Sequence, residues 1–354
     1  MHSDLILTIA HWVSIAVVAL VLFLMAYILF LRALLLLKER RYRDFSTMWT
    51  PILLNGKGNK RDWLPPINFA DRFSFLILWN TLRETIDGDV KIRDWMNKVA
   101  VEAGIDRVAR RFLKKRSIRK KLLAIVTLGQ LRDKSQWEKL CRMALSDHAL
   151  LSLAAAQALS RIDRKAAVPI IVPLIVRRVD WPAAKVASIL EEIGPELVAQ
   201  PLADAVMEAP AEEMQRLIPY LETCHDAIAL PVVHRILKDP PHDKVIGPCL
   251  YVIGKFRDKN DLKLVRQYLT HPRWHVRAHA ATCLGRIGTK EDEAKLAALL
   301  ADSEWWVRYR AAQAIMDLPF SSLERIRQLK EYRNDRYARD ILEQVIVEKR
   351  LIRQ

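Results

Sequence analysis

His271-Pro-Arg-Trp274-His-Val276-Arg277-Ala-His-Ala280-Ala281-Thr-Cys-Leu284-Gly-Arg-Ile287-Gly288 is answered 31 residues later by Asp302-Ser-Glu-Trp305-Trp306-Val307-Arg308-Tyr-Arg310-Ala311-Ala312-Gln-Ala-Ile315. Val276 corresponds to Val307, Arg277 to Arg308, the alanine pair to the alanine pair, and Leu284 to Ile315. Working outward from Leu284, steps of 31 or 32 residues reach Leu128, Leu159, Leu190, Leu221, Ile253, Ile315 and Ile346. Four residues before each anchor stands Ala124, Ala155, Val186, Leu217, Cys249, Ala280, Ala311 or Leu342. Three residues after the first seven come Leu131, Ile162, Ile193, Cys224, Phe256, Ile287 and Leu318. Apolar positions at −4, 0 and +3 lie on one face of a helix. A second apolar set follows roughly 12 residues on, at Leu140, Ile171, Leu202, Val233, Val265 and Leu296, and reads as a second helix of the same unit. Self-similarity at this period marks an array of stacked helical repeats.

Helix-start residues precede each anchor at Ser117, Asp147, Asp180 with Pro182, Pro210, Pro241, Pro272, Asp302, and Asn334 with Asp335. A side-chain oxygen or a proline ring suits the first turn of a helix. At 1.5 Å rise per residue, a unit of this length holds two helices of about 10 to 13 residues each. Neither can bury its apolar face alone, so the units must stack.

The two quoted stretches resemble HEAT repeats, in the short form also seen in phycobilin lyases, with the pattern D-x-x-x-x-V-R-x-x-A-A-x-A-L-G-x-I. Leu153-Ala-Ala-Ala-Gln-Ala-Leu159 is a degenerate copy, and the likeness extends over about 118 to 350. His271 departs from it, standing where an Asp is usual, and the copies from 180 to 256 keep only the apolar spacing. The resemblance implies an inward Val, a small pair that lets helices approach, and an Arg bonded to a neighbouring repeat. Arg277, Arg308 and Arg339 would form that ladder. The expected fold is therefore all-α: an α-solenoid of about seven to eight HEAT-like helix pairs, preceded by one transmembrane helix.

That helix is read from Leu5 to Leu31, where no residue carries a full charge, continuing into Arg32-Ala-Leu-Leu-Leu-Leu37. The run exceeds the ~20 apolar residues needed to cross a bilayer. It begins Met-His-Ser-Asp and lacks the short apolar region and basic start of a cleavable signal. Lys38, Arg40, Arg41 and Arg43 flank only its trailing end. The positive-inside rule then puts the N-terminus outside and the repeats in the cytoplasm. The expected organisation is an anchor at 5–37, a juxtamembrane basic region with the first helices at 38–117, and the solenoid at 118–350. In the middle region, Asn55 to Arg61 reads as a polar turn without a phosphate-loop pattern. Phe69 to Ile86 reads as a helix that is either buried at the start of the array or laid on the membrane surface, and Trp49, Trp63, Trp79 and Trp95 suit either placement. The four cysteines, Cys141, Cys224, Cys249 and Cys283, fall at or beside apolar repeat positions and read as small reduced core residues.

The formal net charge is +16, and residues 105 to 121 hold nine Lys and Arg against one Asp. Arg107, Arg110, Arg111, Lys114 and Lys115 follow helical spacing. They are candidates for contact with anionic lipid, each basic side chain near such a surface being worth about 1 kcal/mol. A solvated face or an anionic polymer are the alternatives. No base-reading motif is visible, and a membrane tether argues against a nucleic-acid role. His271, His275 and His279, spaced by four, lack the Glu of H-E-x-x-H and a third acidic ligand. No nucleophile or paired-carboxylate set is legible, so neither catalysis, cofactor nor metal is expected. Trp274, Trp305 and Trp306, at equivalent places of adjacent repeats, read first as packing between repeats; if exposed, they and Arg277, Arg308 and Arg310 are the candidate partner-binding residues, since Trp and Arg dominate interface hot spots. The expected function is a membrane-anchored cytoplasmic scaffold or adaptor for protein partners, and the resemblance implies a bacterial inner membrane as its setting. The alternatives are an anionic-polymer binder and an enzyme or chaperone for a chromophore.

Overall fold

The computed structural model describes residues 2–54, 64–68, 71–86, 89–331 and 335–352. The polar turn expected at Asn55 to Arg61, Trp63 and the helix-start residue Asn334 lie outside them. Among the described residues every regular element is helical, as the repeat spacing predicts. The chain divides into two compact units, Met1–Gln136 and Trp137–Gln354.

The first unit opens with α1 (His2–Leu54), a single long helix. From Val17 to Leu37 its side chains are exposed, and none of the described residues packs on this apolar stretch. Its 21 residues would span ~32 Å, about the thickness of a hydrocarbon core. The helix does not break at the basic residues that follow. Beyond them Phe45, Trp49 and Leu53, four residues apart, turn inward and are buried. Trp49 meets Phe75 of α2 (Arg72–Thr85) edge to face at 4.9 Å. Phe75, Leu76, Leu78 and Trp79 bury the inner face of α2, so this segment is a core helix of the unit. The Trp79 indole donates to the Met96 carbonyl of α3 (Val90–Glu102), and the Trp95 indole donates to the Ile52 carbonyl of α1. A buried indole N–H needs such an acceptor. Gly104, at φ +70°, makes the turn into α4 (Ile105–Phe112), a conformation glycine adopts without a Cβ penalty. α5 (Ile118–Gln130) closes the unit, its Thr127 hydroxyl accepting from buried Asn80.

The second unit begins with α6 (Trp137–Ala144). Six helix pairs follow: α7 (Ala149–Ile162) with α8 (Arg164–Arg177), α9 (Ala183–Ile193) with α10 (Pro195–Glu208), α11 (Ala211–Leu217) with α12 (Asp226–Lys238), α13 (Asp243–Phe256) with α14 (Leu262–Gln267), α15 (Trp274–Ile287) with α16 (Asp292–Ala298), and α17 (Trp305–Asp317) with α18 (Leu323–Glu331). α19 (Arg336–Ile352) ends the array. The recurring positions are the core. Leu159, Leu190, Leu221, Ile253, Leu284, Ile315 and Ile346 are all buried, as are Leu140, Ile171, Leu202, Val233, Val265 and Leu296 of the second set. First helices of successive pairs lie side by side. At Gly285 a Cβ would come within 2.7 Å of the Ala314 Cα, so α15 and α17 approach closely there.

Links at about one repeat's separation hold neighbouring pairs together. Arg161 bonds Glu192 at 2.8 Å, the Tyr268 hydroxyl donates to the Leu237 carbonyl, and Arg325 pairs with Glu293. The first helix of the third pair is shortened. After Leu217 the chain tightens into a 3-10 turn over Ile218–Thr223. Pro219, without an N–H, cannot continue the α-helical ladder.

Candidate functional site

The candidate surface is built on the turns that open α13, α15, α17 and α19. In each, a side chain accepts from the backbone N–H two residues on. His242 Nδ1 takes it from Lys244, His271 Nδ1 from Arg273, Asp302 Oδ1 from Glu304 and Asp335 Oδ1 from Tyr337. An imidazole nitrogen thus does in two repeats what a carboxylate does in the other two. This explains how His271 stands where Asp is usual.

Asp302 has a second role. Arg277 grips its carboxylate with two bonds of 2.7 Å and also donates to the His271 and Pro272 carbonyls. Arg308 repeats the carbonyl half of this motif on Asp302 and Ser303. Burial pushes the Asp302 carboxyl up, but the Arg277 bonds outweigh it and hold it below its ordinary value. Arg277 is therefore occupied in joining one repeat to the next, and Arg308 in bracing its own turn. Arg277 thus makes the bond to a neighbouring repeat that the resemblance implies, whereas the Arg308 hydrogen bonds stay within its own turn. Arg339, the third residue of the expected ladder, is exposed.

The tryptophans are presented outward. Trp274, Trp305 and Trp306 are 41 %, 40 % and 50 % exposed. Trp305 stacks on Tyr309 at 5.1 Å and meets Trp306 edge to face at 4.8 Å. Arg310 lies 6.0 Å from the centre of the Tyr309 ring. Tyr309 is not among the sequence candidates, although its place four residues after Trp305 is the spacing that brings side chains together on a helix. Trp274 also borders a cleft of about 640 Å³ lined by Lys244, Tyr251, His275 and His279. Gly247 leaves the room that the His279 ring fills: a Cβ there would sit 2.6 Å from it. Burial lowers the pKa of both His275 and His279, which favours neutral imidazoles in the cleft. Among the described residues no three His, Cys, Asp or Glu side chains are grouped as metal ligands.

The basic run is divided by the fold. α4 ends at Phe112, so Lys114 and Lys115 stand on the following turn rather than on one helical face with Arg107, Arg110 and Arg111. Arg110 pairs with Asp133 at 2.7 Å and with Asp106 at 3.4 Å, which withdraws it from the lipid-facing set. Arg107 is exposed, as are Arg111, Lys114 and Lys115. Cys224, Cys249 and Cys283 are buried and free, and Cys141 is half-buried. Burial pushes the Cys224 thiol up to about 11 and the Cys249 and Cys283 thiols up to about 12.

Residues 226–316 match the family described as HEAT repeats. No curated protein matches the chain. Among solved structures, human deoxyhypusine hydroxylase in complex with glycerol is similar at 18 % identity, over 79 % of this chain and 98 % of that one, with a TM-score of 0.29. The matched span runs from α12 to α17, the part of the array that carries the tryptophans and the Arg277–Asp302 link, and it supports a HEAT-repeat protein.

Proposed function

We propose that the chain is a membrane-anchored scaffold whose HEAT-type array captures a protein partner through the aromatic ridge of Trp274, Trp305 and Trp306, with Arg310 beside it. One observation carries this reading: three large indoles, at matching helix starts of two adjacent repeats, stay substantially exposed while Val276 and Val307 just after them are buried. An exposed aromatic ridge beside a cleft is the arrangement that hot spots favour. The apolar stretch of α1 supports a membrane span, and the basic residues after it support an external N-terminus and cytoplasmic repeats. A bacterial inner membrane is the setting proposed. Tethering confines the array to a surface and raises its effective concentration toward membrane partners. A helical repeat array of this kind presents surface rather than chemistry.

The test is mild crosslinking of membranes carrying the full chain, with pull-down of wild type and of the Trp274→Ala/Trp305→Ala/Trp306→Ala variant. A discrete protein partner retained by wild type and lost by a folded variant supports the reading. Equal recovery by both, or no partner above background, overturns it.

A further inference from the structure

We infer that the juxtamembrane part of the first unit holds a site for the phosphate-bearing headgroup of an anionic membrane lipid. The inference rests on the membrane-anchor reading and narrows the contact with lipid from a diffuse basic face to two adjoining clefts.

The first cleft, about 830 Å³, runs along α1 from Lys38 past Arg43 to Pro51 and is backed by Phe73 and Ile77 of α2. The second, about 840 Å³, lies against α2, α4 and the turn after it, between Arg111, Lys114, Lys115 and Lys120. Lys38, Phe73 and Arg119 line both, so the two share a wall.

Three features identify the occupant. The first is charge. Lys38, Arg43, Arg111, Lys114, Lys115, Arg119 and Lys120 form no ion pair among the described residues, and Glu39 is the one acidic side chain lining either cleft. Elsewhere in the same unit cations do find carboxylates, as Arg41 does with Asp71 and Arg110 with Asp133. Seven crowded cations with little counter-charge repel one another, and bound lipid phosphates relieve that repulsion.

The second is place. Lys38 directly follows the apolar stretch, and Arg43 lies five residues further along the same helix, or ~8 Å. With Val17–Leu37 in the bilayer, the cleft mouth stands at headgroup depth. A lipid phosphate is held at that level by the bilayer, whereas a soluble anion must be drawn to it from solution.

The third is the mixed lining. Phe73, Ile77, Pro51, Val108 and Phe112 give apolar walls beneath the cations. The Arg119 guanidinium lies 5.5 Å over the Phe73 ring, and the Lys120 ammonium 5.6 Å over Phe112. These contacts seat the charges on rigid aromatic supports. The apolar walls suit the glycerol and first acyl carbons, while the exposed face of α1 can carry the chains.

The test uses the full chain in nanodiscs of phosphatidylcholine with one fifth phosphatidylglycerol, followed by native mass spectrometry of the lipid retained after detergent release. Wild type is expected to keep phosphatidylglycerol over phosphatidylcholine. Arg111→Gln/Lys114→Gln/Lys115→Gln/Arg119→Gln is expected to lose at least tenfold of that retention, at unchanged helicity. Lys165→Gln/Arg235→Gln/Lys263→Gln/Lys290→Gln, an equal charge change on exposed residues of the second unit, is expected to keep it. Lys114→Arg/Lys115→Arg is expected to keep it as well. Equal loss in the two quadruple variants would mean general charge attraction and overturn the site, as would equal retention. Competition by inorganic pyrophosphate or glycerophosphate as effective as that by lipid would reassign the site to soluble phosphate and overturn the lipid source. Carbonate extraction of the same samples separates the two readings. Inserted protein without selective retention sinks the site alone. Protein that extracts sinks the anchor, and binding of short-chain phosphatidylglycerol to that protein in detergent then decides whether the cleft takes a lipid headgroup.

Discussion

Replacing Asp292 with Asn should destabilise the array by about 3 kcal/mol and remove a defined part of its acid sensitivity. Asp292 opens α16 and its side chain is fully buried. Arg266 donates to it at 2.6 and 2.8 Å, and the Thr289 N–H and hydroxyl donate at 2.9 and 3.0 Å. Burial pushes this carboxyl up, but the Arg266 and Thr289 bonds win and hold it at about 2, against 3.8 for a free one. That gap corresponds to ~2 kcal/mol of preference for the charged form. Breaking a buried pair also strands its partner, and such losses run to about 3–5 kcal/mol. Arg266 is partly exposed, which places the expectation at the lower end. The folded-state pKa is depressed, so the stabilisation is complete above about pH 4 and is lost as pH falls toward 2. Urea unfolding of the full chain in detergent, followed by tryptophan fluorescence, measures the first quantity. Repeating it between pH 6 and 2.5 measures the second, because the Asn variant should lack the wild type's fall in this window attributable to that group. Hydrogen exchange across 262–300 should report the loss locally, since stability in a repeat array is shared chiefly between neighbours. If the variant unfolds within about 0.5 kcal/mol of wild type at pH 7, the carboxylate is not holding α14 to α16 as described.

Gly285→Val should cost about 1–3 kcal/mol, because its branched side chain must force α15 away from the Ala314 backbone; a melting temperature equal to wild type would contradict the close approach. Arg257 ends α13 at φ +58°, so Arg257→Gly should stabilise by roughly 0.5–1 kcal/mol, measured by the same urea titration; a loss of stability would contradict strain at this position. Maleimide at pH 7.5 should modify Cys141 at most in the folded chain and all four cysteines after unfolding, as mass spectrometry would count; rapid native labelling of Cys249 or Cys283 would refute their placement in the core.

The apolar skeleton of the array was legible because burial imposes a strict period. Leu128, Leu159 and Leu284 are buried where the spacing puts them, and so are Val265 and Leu296 of the second set. The breakers were legible for a related reason: Ser117, Pro182 and Pro210 each occupy the N-cap position of a helix. Helix interiors were less so. Pro169, Pro173, Pro201, Pro231 and Pro248 all lie inside helices, where local rules would end them. Their rings sit at exposed or half-exposed positions of those helices. The tryptophan ridge was visible as residue types at matching positions, but whether the indoles pack between repeats or face outward depends on backbone placement. The basic run looked continuous because charge is counted along the chain, whereas Asp133, 23 residues beyond Arg110, decides which cations are free.

That division bears on how one chain could serve two surfaces. A cation satisfied within the fold contributes to stability and little to recognition; one left without a counter-charge does the reverse. Arg277 and Arg266 belong to the first kind, each locked to a carboxylate that also closes a helix turn. Lys38, Arg111, Lys114 and Lys115 belong to the second. The array uses Arg161, Arg266 and Arg277 to join repeats and presents Trp274, Trp305 and Trp306 outward. The first unit, with its indoles turned into the core at Trp49 and Trp79, presents charge. An aromatic ridge suits a protein surface that excludes water, and a cationic cleft suits phosphate. The two kinds of exposed residue therefore favour two different occupants. Substitutions at one surface should leave the other's binding unchanged, and a loss of lipid retention in the tryptophan variant would count against that independence.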